Sequence, residues 1–175
     1  MILAVPVFSQ KVEDGWKGLL PFKSTKEDVE KVLGKGKQKP DAWQLKRYKY
    51  DTDEAVVDVE YAELSCDEKT DPYDRFDVPS DTVIRYRVQL KKMLPISELS
   101  FETIRFAHVP SHTGVDSQFY FSYMQANQNL DVGPNEFRTG SGIEISGKIV
   151  GDRDYARGFM YGPPWGEREK RRCNK

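Results

Sequence analysis

Cysteine and histidine are scarce in this chain, with two of each among 175 residues. That excludes the dense disulfide framework of a small secreted scaffold, and it leaves no C-x-x-C pair for a structural zinc site or a redox centre. No G-x-S-x-G or H-E-x-x-H motif occurs, so the signatures of serine hydrolases and zinc proteases are missing too. Charge of one sign is also lacking: 27 basic residues face 28 acidic ones, for a net charge of −1. A near-neutral total gives no long-range pull toward nucleic acid or an anionic membrane, and neither is expected as a partner. No apolar run is long enough to cross a bilayer, and no internal repeat or low-complexity tract stands out.

What is present suits one folded domain. Hydrophobic residues make up 38% and charged residues 31%, a polar but foldable mixture. Nine Tyr, nine Phe and three Trp supply aromatic area for a sheet-rich core. The first nine residues, MILAVPVFS, read as the remnant of a secretory signal peptide, with the mature chain beginning at Gln10. The alternative is a first β-strand, against which Pro6 argues. Residues 10–175 then form a single exported α+β domain, with sub-halves at 10–94 and 95–175. The basic tail from Arg168 to Lys175 reads as a solvated end.

The stretch from Trp16 to Gly34, WKGLLPFKSTKEDVEKVLG, carries a helix-entry signal behind an aromatic and apolar lead-in. Ser24 and Glu27 fit a capping box, and Glu27 with Asp28 places negative charge in the first turn. Val29, Val32 and Leu33 form an apolar stripe at helical spacing, and Gly34 is the stop. So short a helix needs packing against other elements. After it the pattern changes to period two. Residues 43–50, 55–62 and 82–90 read as strands with one covered and one wet face, since Val57, Val59 and Tyr61 alternate with Asp58 and Glu60. Pro95 to Leu99 suits one helical turn. Residues 118–124, 142–150 and 154–161 are further strands, and Gln125 to Gly140 reads as a long polar loop. The fold class is therefore α+β: a short N-terminal helix on a mostly antiparallel sheet, with a mainly β second half.

Few residues invite chemistry. Cys66 and Cys173 are either one disulfide in an oxidising compartment or two separate surface thiols. His108, His112 and Asp116 form a candidate metal site in a loop. Pro110 and Gly114 argue against a helix there, and two histidines in ordinary hydrogen bonds are the competing reading. Tyr161 and Trp165, beside Pro163 and Pro164, are candidate aromatics for stacking on a sugar or a protein partner, against a role in packing. Asp51, Asp53 and Glu54 read as a solvated turn rather than an acid–base pair. Gly34-Lys35-Gly36-Lys37 ends a helix instead of following a strand, so it is no phosphate loop. No catalytic residue and no cofactor is nominated.

The run W-x-G-x-x-P-x-x-S-T-x-x-D-V-E-x-x-L-G over Trp16 to Gly34 resembles a family of uncharacterised exported bacterial proteins, frequent among Acidobacteria. The likeness continues through Tyr61, Cys66, the Val78-Pro79-Ser80-Asp81-Thr82-Val83 strand entry and His108-Val109-Pro110-Ser111-His112. It ends with Gly142-Ile143, Tyr161-Gly162-Pro163 and Arg172-Cys173, and departs from the family in the insertion around Gln125 to Gly140. The resemblance implies export and a Cys66–Cys173 bridge, and it carries no activity. More loosely, a short helix before antiparallel strands is similar to the small lipoprotein of the outer-membrane β-barrel assembly machinery and to β-lactamase-inhibitor modules, which implies binding rather than catalysis. The expectation is thus a secreted or periplasmic, non-enzymatic binding or structural module with a protein partner. A metal- or small-ligand-binding protein centred on the histidines is the second reading, and an enzyme the third.

Overall fold

The alternation that starts in the sequence near Lys46 becomes a single antiparallel sheet. The computed structural model describes residues 11–40, 46–63, 66, 76–102, 106–112, 119–125, 142–150, 152–163, 167, 170–171 and 173. Its eight strands are β1 (Lys37–Gln38), β2 (Lys46–Asp51), β3 (Ala55–Tyr61), β4 (Val83–Pro95), β5 (Phe106–His112), β6 (Phe119–Gln125), β7 (Ile143–Val150) and β8 (Arg153–Tyr161). They run in the order β1-β2-β3-β4-β8-β7-β6-β5, each neighbouring pair antiparallel. The sheet consists of two meanders, β1–β4 and β5–β8, joined edge to edge where β4 pairs with β8.

Period-two patterning explains the covered face. One register row runs Tyr48, Val59, Tyr86, Tyr161, Ile143, and the next runs Tyr50, Val57, Val88, Phe159, Ile145. These residues belong to one hydrophobic cluster that draws on both meanders. The Tyr86 and Tyr161 rings stack across the seam with centroids 4.7 Å apart. At the same seam Gly158 lies against β4, where an added Cβ would sit 2.3 Å from the Val88 carbonyl oxygen. Beside it the β8 register shifts against both neighbours around Arg157, so the ladder bends at that point.

The lead-in read from Trp16 onward covers this face. Two 3-10 turns, Val12–Asp14 and Trp16–Gly18, bring Val12, Trp16 and Leu19 into the cluster. The Tyr86 hydroxyl accepts from the Trp16 N–H at 2.9 Å and donates to the Leu19 carbonyl at 2.6 Å, so one side chain ties the turn to the sheet. Gly15 makes the turn possible, since it has φ near +80° and a Cβ there would meet the Leu19 carbonyl oxygen at 2.0 Å.

Helix α1 (Lys26–Leu33) ends at Gly34 as expected, but its cap differs. Thr25, not Ser24, is the N-cap: Thr25 Oγ1 accepts from the Asp28 N–H at 3.3 Å, and Asp28 Oδ2 accepts from the Thr25 N–H at 2.9 Å. Ser24 is otherwise committed. Its hydroxyl accepts from the Leu20 N–H at 2.9 Å, and its carbonyl accepts from Val83 N–H at 2.8 Å as the chain runs beside β4. Of the apolar stripe, Val29 is buried in the cluster and Leu33 lies partly buried against it, whereas Val32 is 42% exposed. Pro95–Leu99 does contain a 3-10 turn, Ile96–Glu98. Residues 1–10, including the proposed signal remnant, lie outside the described residues, as does the Gln125–Gly140 stretch beyond Gln125.

Two measurements test this packing. Gly158→Ala should lower the unfolding free energy by about 1–3 kcal/mol in denaturant titration, because backbone, not a movable side chain, meets the new methyl group. The second concerns the buried tyrosines Tyr50, Tyr61, Tyr86 and Tyr161, whose hydroxyls burial pushes above their ordinary value of 10.0. A group raised in the folded state favours folding below its unfolded value and loses that contribution as pH climbs toward the folded one. Stability should therefore fall from about pH 10 upward, with phenolate absorbance from these four appearing only on unfolding. Reversible ionisation of all nine tyrosines near pH 10 in folded protein would contradict the packing.

Candidate binding face

The face of β2–β4 opposite the core carries the alternate, charged residues of the same strands. One row joins Arg47, Glu60 and Arg85, and the next joins Lys37, Lys49, Asp58 and Arg87. The Lys39 N–H donates to the Arg47 carbonyl at 2.8 Å, which adds Lys39 to the first row. Glu60 is the anchor. Only 9% exposed, it is ion-paired with Arg47 Nε at 3.3 Å through one oxygen and accepts a hydrogen bond from Arg85 Nε through the other. Asp58 pairs with Lys39. Over β1–β4 these two rows set six cations around two carboxylates, an excess of four positive charges, before the second row continues through Met160 to Glu144 on β7. The following row begins with Asp51, whose carboxyl the Lys91 ammonium at 2.7 Å holds below its usual range, with Lys49 and Lys37 adding to the effect.

The β2–β3 connection is the turn read from the sequence: Thr52 N–H donates to the Ala55 carbonyl at 2.9 Å. Two of its three acids are ion-paired, Asp51 with Lys91 and Glu54 with Lys17 at 2.9 Å. Gly34 to Lys37 closes the helix and enters β1, in keeping with its rejection as a phosphate loop.

Of the two readings open for the cysteines, the bridge is the one present. Cys66 and Cys173 are joined across 107 residues. The tail is tied down beside it, since Asp77 N–H donates to the Arg171 carbonyl at 2.6 Å and the Arg171 guanidinium lies 5.9 Å from the centre of the Phe22 ring. Phe22 packs against a satellite cluster of Ala62, Phe76, Val78 and Ile84. The bridge thus fixes the C-terminus beside a small second core, not beside the main one.

Two expectations are corrected. Tyr161 is not a surface aromatic available for stacking on a ligand: it is 2% exposed and stacked on Tyr86. Period two explains this, because Phe159 and Tyr161 share the covered face of β8. His108 and His112 lie on strand β5 and not in a loop, in register with Tyr123 and Phe119. Pro110 between them is tolerated because β5 is the last strand in the sheet order. At strand rise their Cα atoms stand about 13 Å apart. Asp116 and Trp165 lie outside the described residues.

The charged rows were not singled out from the sequence. Their signal was present as R-Y-K, D-V-E and R-Y-R, but only the pairing of β1 to β4 stacks these triplets into adjacent rows. Comparison of the chain with protein-family models, with curated proteins and with solved structures finds no match.

The bridge yields a prediction. Cys173→Ser should lower the unfolding free energy by about 2–5 kcal/mol, as expected for a cross-link closing so long a loop. A reductant should destabilise the unsubstituted protein to the same extent and leave the variant unaffected.

Proposed function

We propose that the chain is an exported, non-enzymatic binding or structural module of the cell envelope or extracellular space, meeting a partner protein through its sheet. The observation that carries this reading is the Cys66–Cys173 bridge. Disulfides persist in oxidising compartments and are rare in the cytosol. The likeness of Trp16–Gly34 and the two cysteine segments to exported bacterial proteins points the same way. Among the described residues no helix is long and apolar enough to cross a membrane.

A binding role is favoured over catalysis by how the charged groups are used. Glu60 is held between two arginines, Asp58 by Lys39 and Asp51 by Lys91, so these carboxylates are ion-paired with neighbours that hold them in place. General acid–base chemistry needs a group free to exchange its proton with a substrate. In this reading the N-terminal lead-in and the short helix cover one face of the sheet, and the other face is left for the partner.

The test is expression in a bacterium with the native upstream region, followed by intact mass of the exported fraction with and without reductant. The expected product starts at Gln10 and is lighter by two hydrogens before reduction. A cytosolic product that retains Met1 with both thiols free would overturn the reading.

A further inference from the structure

We infer that the charged face of β1–β4 is a docking surface for an extended acidic segment of a partner protein. This rests on the binding-module reading above and adds the partner's chemistry.

The argument begins with segregation. The whole chain has a net charge of −1, yet two adjacent rows on one face gather Lys37, Lys39, Arg47, Lys49, Arg85 and Arg87 around only Asp58 and Glu60. Lys37 and Lys49 are directly opposed cross-strand partners. Like charges in that position oppose sheet formation, so packing of the fold does not account for them. Lysine on an edge strand can serve to block edge-to-edge pairing, which would cover Lys37 on β1 and Lys39 just after it. It does not cover Lys49, Arg85 or Arg87, because β2 and β4 are interior strands.

The chain itself displays the seat that a carboxylate would take. Glu60 lies between Arg47 and Arg85, ion-paired with a guanidinium on either side. Lys37, Lys49 and Arg87 are exposed and make no ion pair within 4.0 Å among the described residues. The cations lie two residues apart along the chain, 37 and 39, 47 and 49, 85 and 87. That is a spacing of about 6.6 Å, the repeat of alternate side chains on an extended polypeptide. A segment with Asp or Glu at every second position matches it. A single-stranded nucleic acid would also carry negative charge, but binding of that kind relies on aromatic side chains for base stacking. These two rows contain none, because the aromatics of β2–β4 (Tyr48, Tyr50, Tyr61 and Tyr86) lie on the opposite, covered face.

Fluorescence anisotropy with a labelled peptide of alternating Glu and Ser, added to the purified oxidised protein, tests the inference. Binding should be measurable at low salt, weaken as ionic strength rises, and weaken about tenfold in the double variant Lys37→Glu/Lys49→Glu. The variant Lys23→Glu/Arg153→Glu makes the same change in net charge away from the two rows and should bind as the unsubstituted protein does. A thermal melt of each variant checks folding. If the first double variant does not fold, Arg87→Gln is used and should weaken binding in the same direction. Absence of binding, equal weakening by both double variants, or tighter binding to oligothymidylate or to phosphatidylglycerol vesicles would each overturn the inference. Because purified protein is used, none of these outcomes depends on where the cell places the chain, which the mass measurement decides separately.

Discussion

The structure depends on the Tyr86 hydroxyl. A tyrosine in the middle of a sheet must bury a polar atom, and leaving it unbonded there would cost about 1–3 kcal/mol. Here that atom is used twice, once by the Trp16 N–H and once by the Leu19 carbonyl. The bonds bring a chain segment 67 to 70 residues away onto the sheet. They also satisfy backbone groups of a turn that has no regular ladder of its own. The ring of Tyr86 meanwhile stacks on Tyr161 from the other meander. One side chain thus joins the lead-in, the first meander and the second, and the cluster around it contains residues from all three.

The β4–β8 seam follows from the same constraint. Two meanders can form one sheet only if the strands facing each other at the junction bring compatible surfaces. Tyr86 and Val88 meet Tyr161 and Phe159 on the covered face, and Gly158 removes the Cβ that would hold the strands apart. The register shift at Arg157 then returns the alternation of β8 to phase with β7 as well as β4. The Cys66–Cys173 bridge acts elsewhere, on the satellite cluster, where few apolar residues are available to hold the chain end. The division of labour is physical: apolar area holds the large core, and a covalent link holds the segment with too little of it.

The parts of this fold legible in sequence were those governed by local rules. Period two in A-V-V-D-V-E-Y and V-I-R-Y-R-V-Q-L placed β3 and β4, and Gly34 marked the helix end. What was not legible depended on partners distant in sequence. Ser24 and Thr25 are both good caps, and the choice between them was made by Leu20 and Val83, which occupy the Ser24 hydroxyl and carbonyl. F-A-H-V-P-S-H has no clean alternation and contains a proline, so it reads as a loop until β6 supplies a ladder for it. Tyr161 stands next to a Gly-Pro turn, which suggests exposure, yet Tyr86 across the seam buries it. Each miss is a case in which tertiary context overrode a local signal.

The charged face shows the same principle applied to function. Near-neutral composition gives no long-range pull toward nucleic acid or an anionic membrane, and as an average over the chain that argument holds. Binding, however, senses the field at a surface, and at the Debye length of about 8 Å in physiological salt only neighbouring charges contribute. Pairing of β1 through β4 places R-Y-K beside D-V-E beside R-Y-R, so that cations from two triplets, with Lys37 and Lys39, enclose the carboxylates of the third. The arginines neutralise Glu60 from both sides, while Lys49 and Arg87 flank Asp58 from the two adjacent strands. Local charge is therefore a property of register and not of composition. A shift of β2 by one residue would leave the net charge at −1 and take Arg47 and Lys49 off this face.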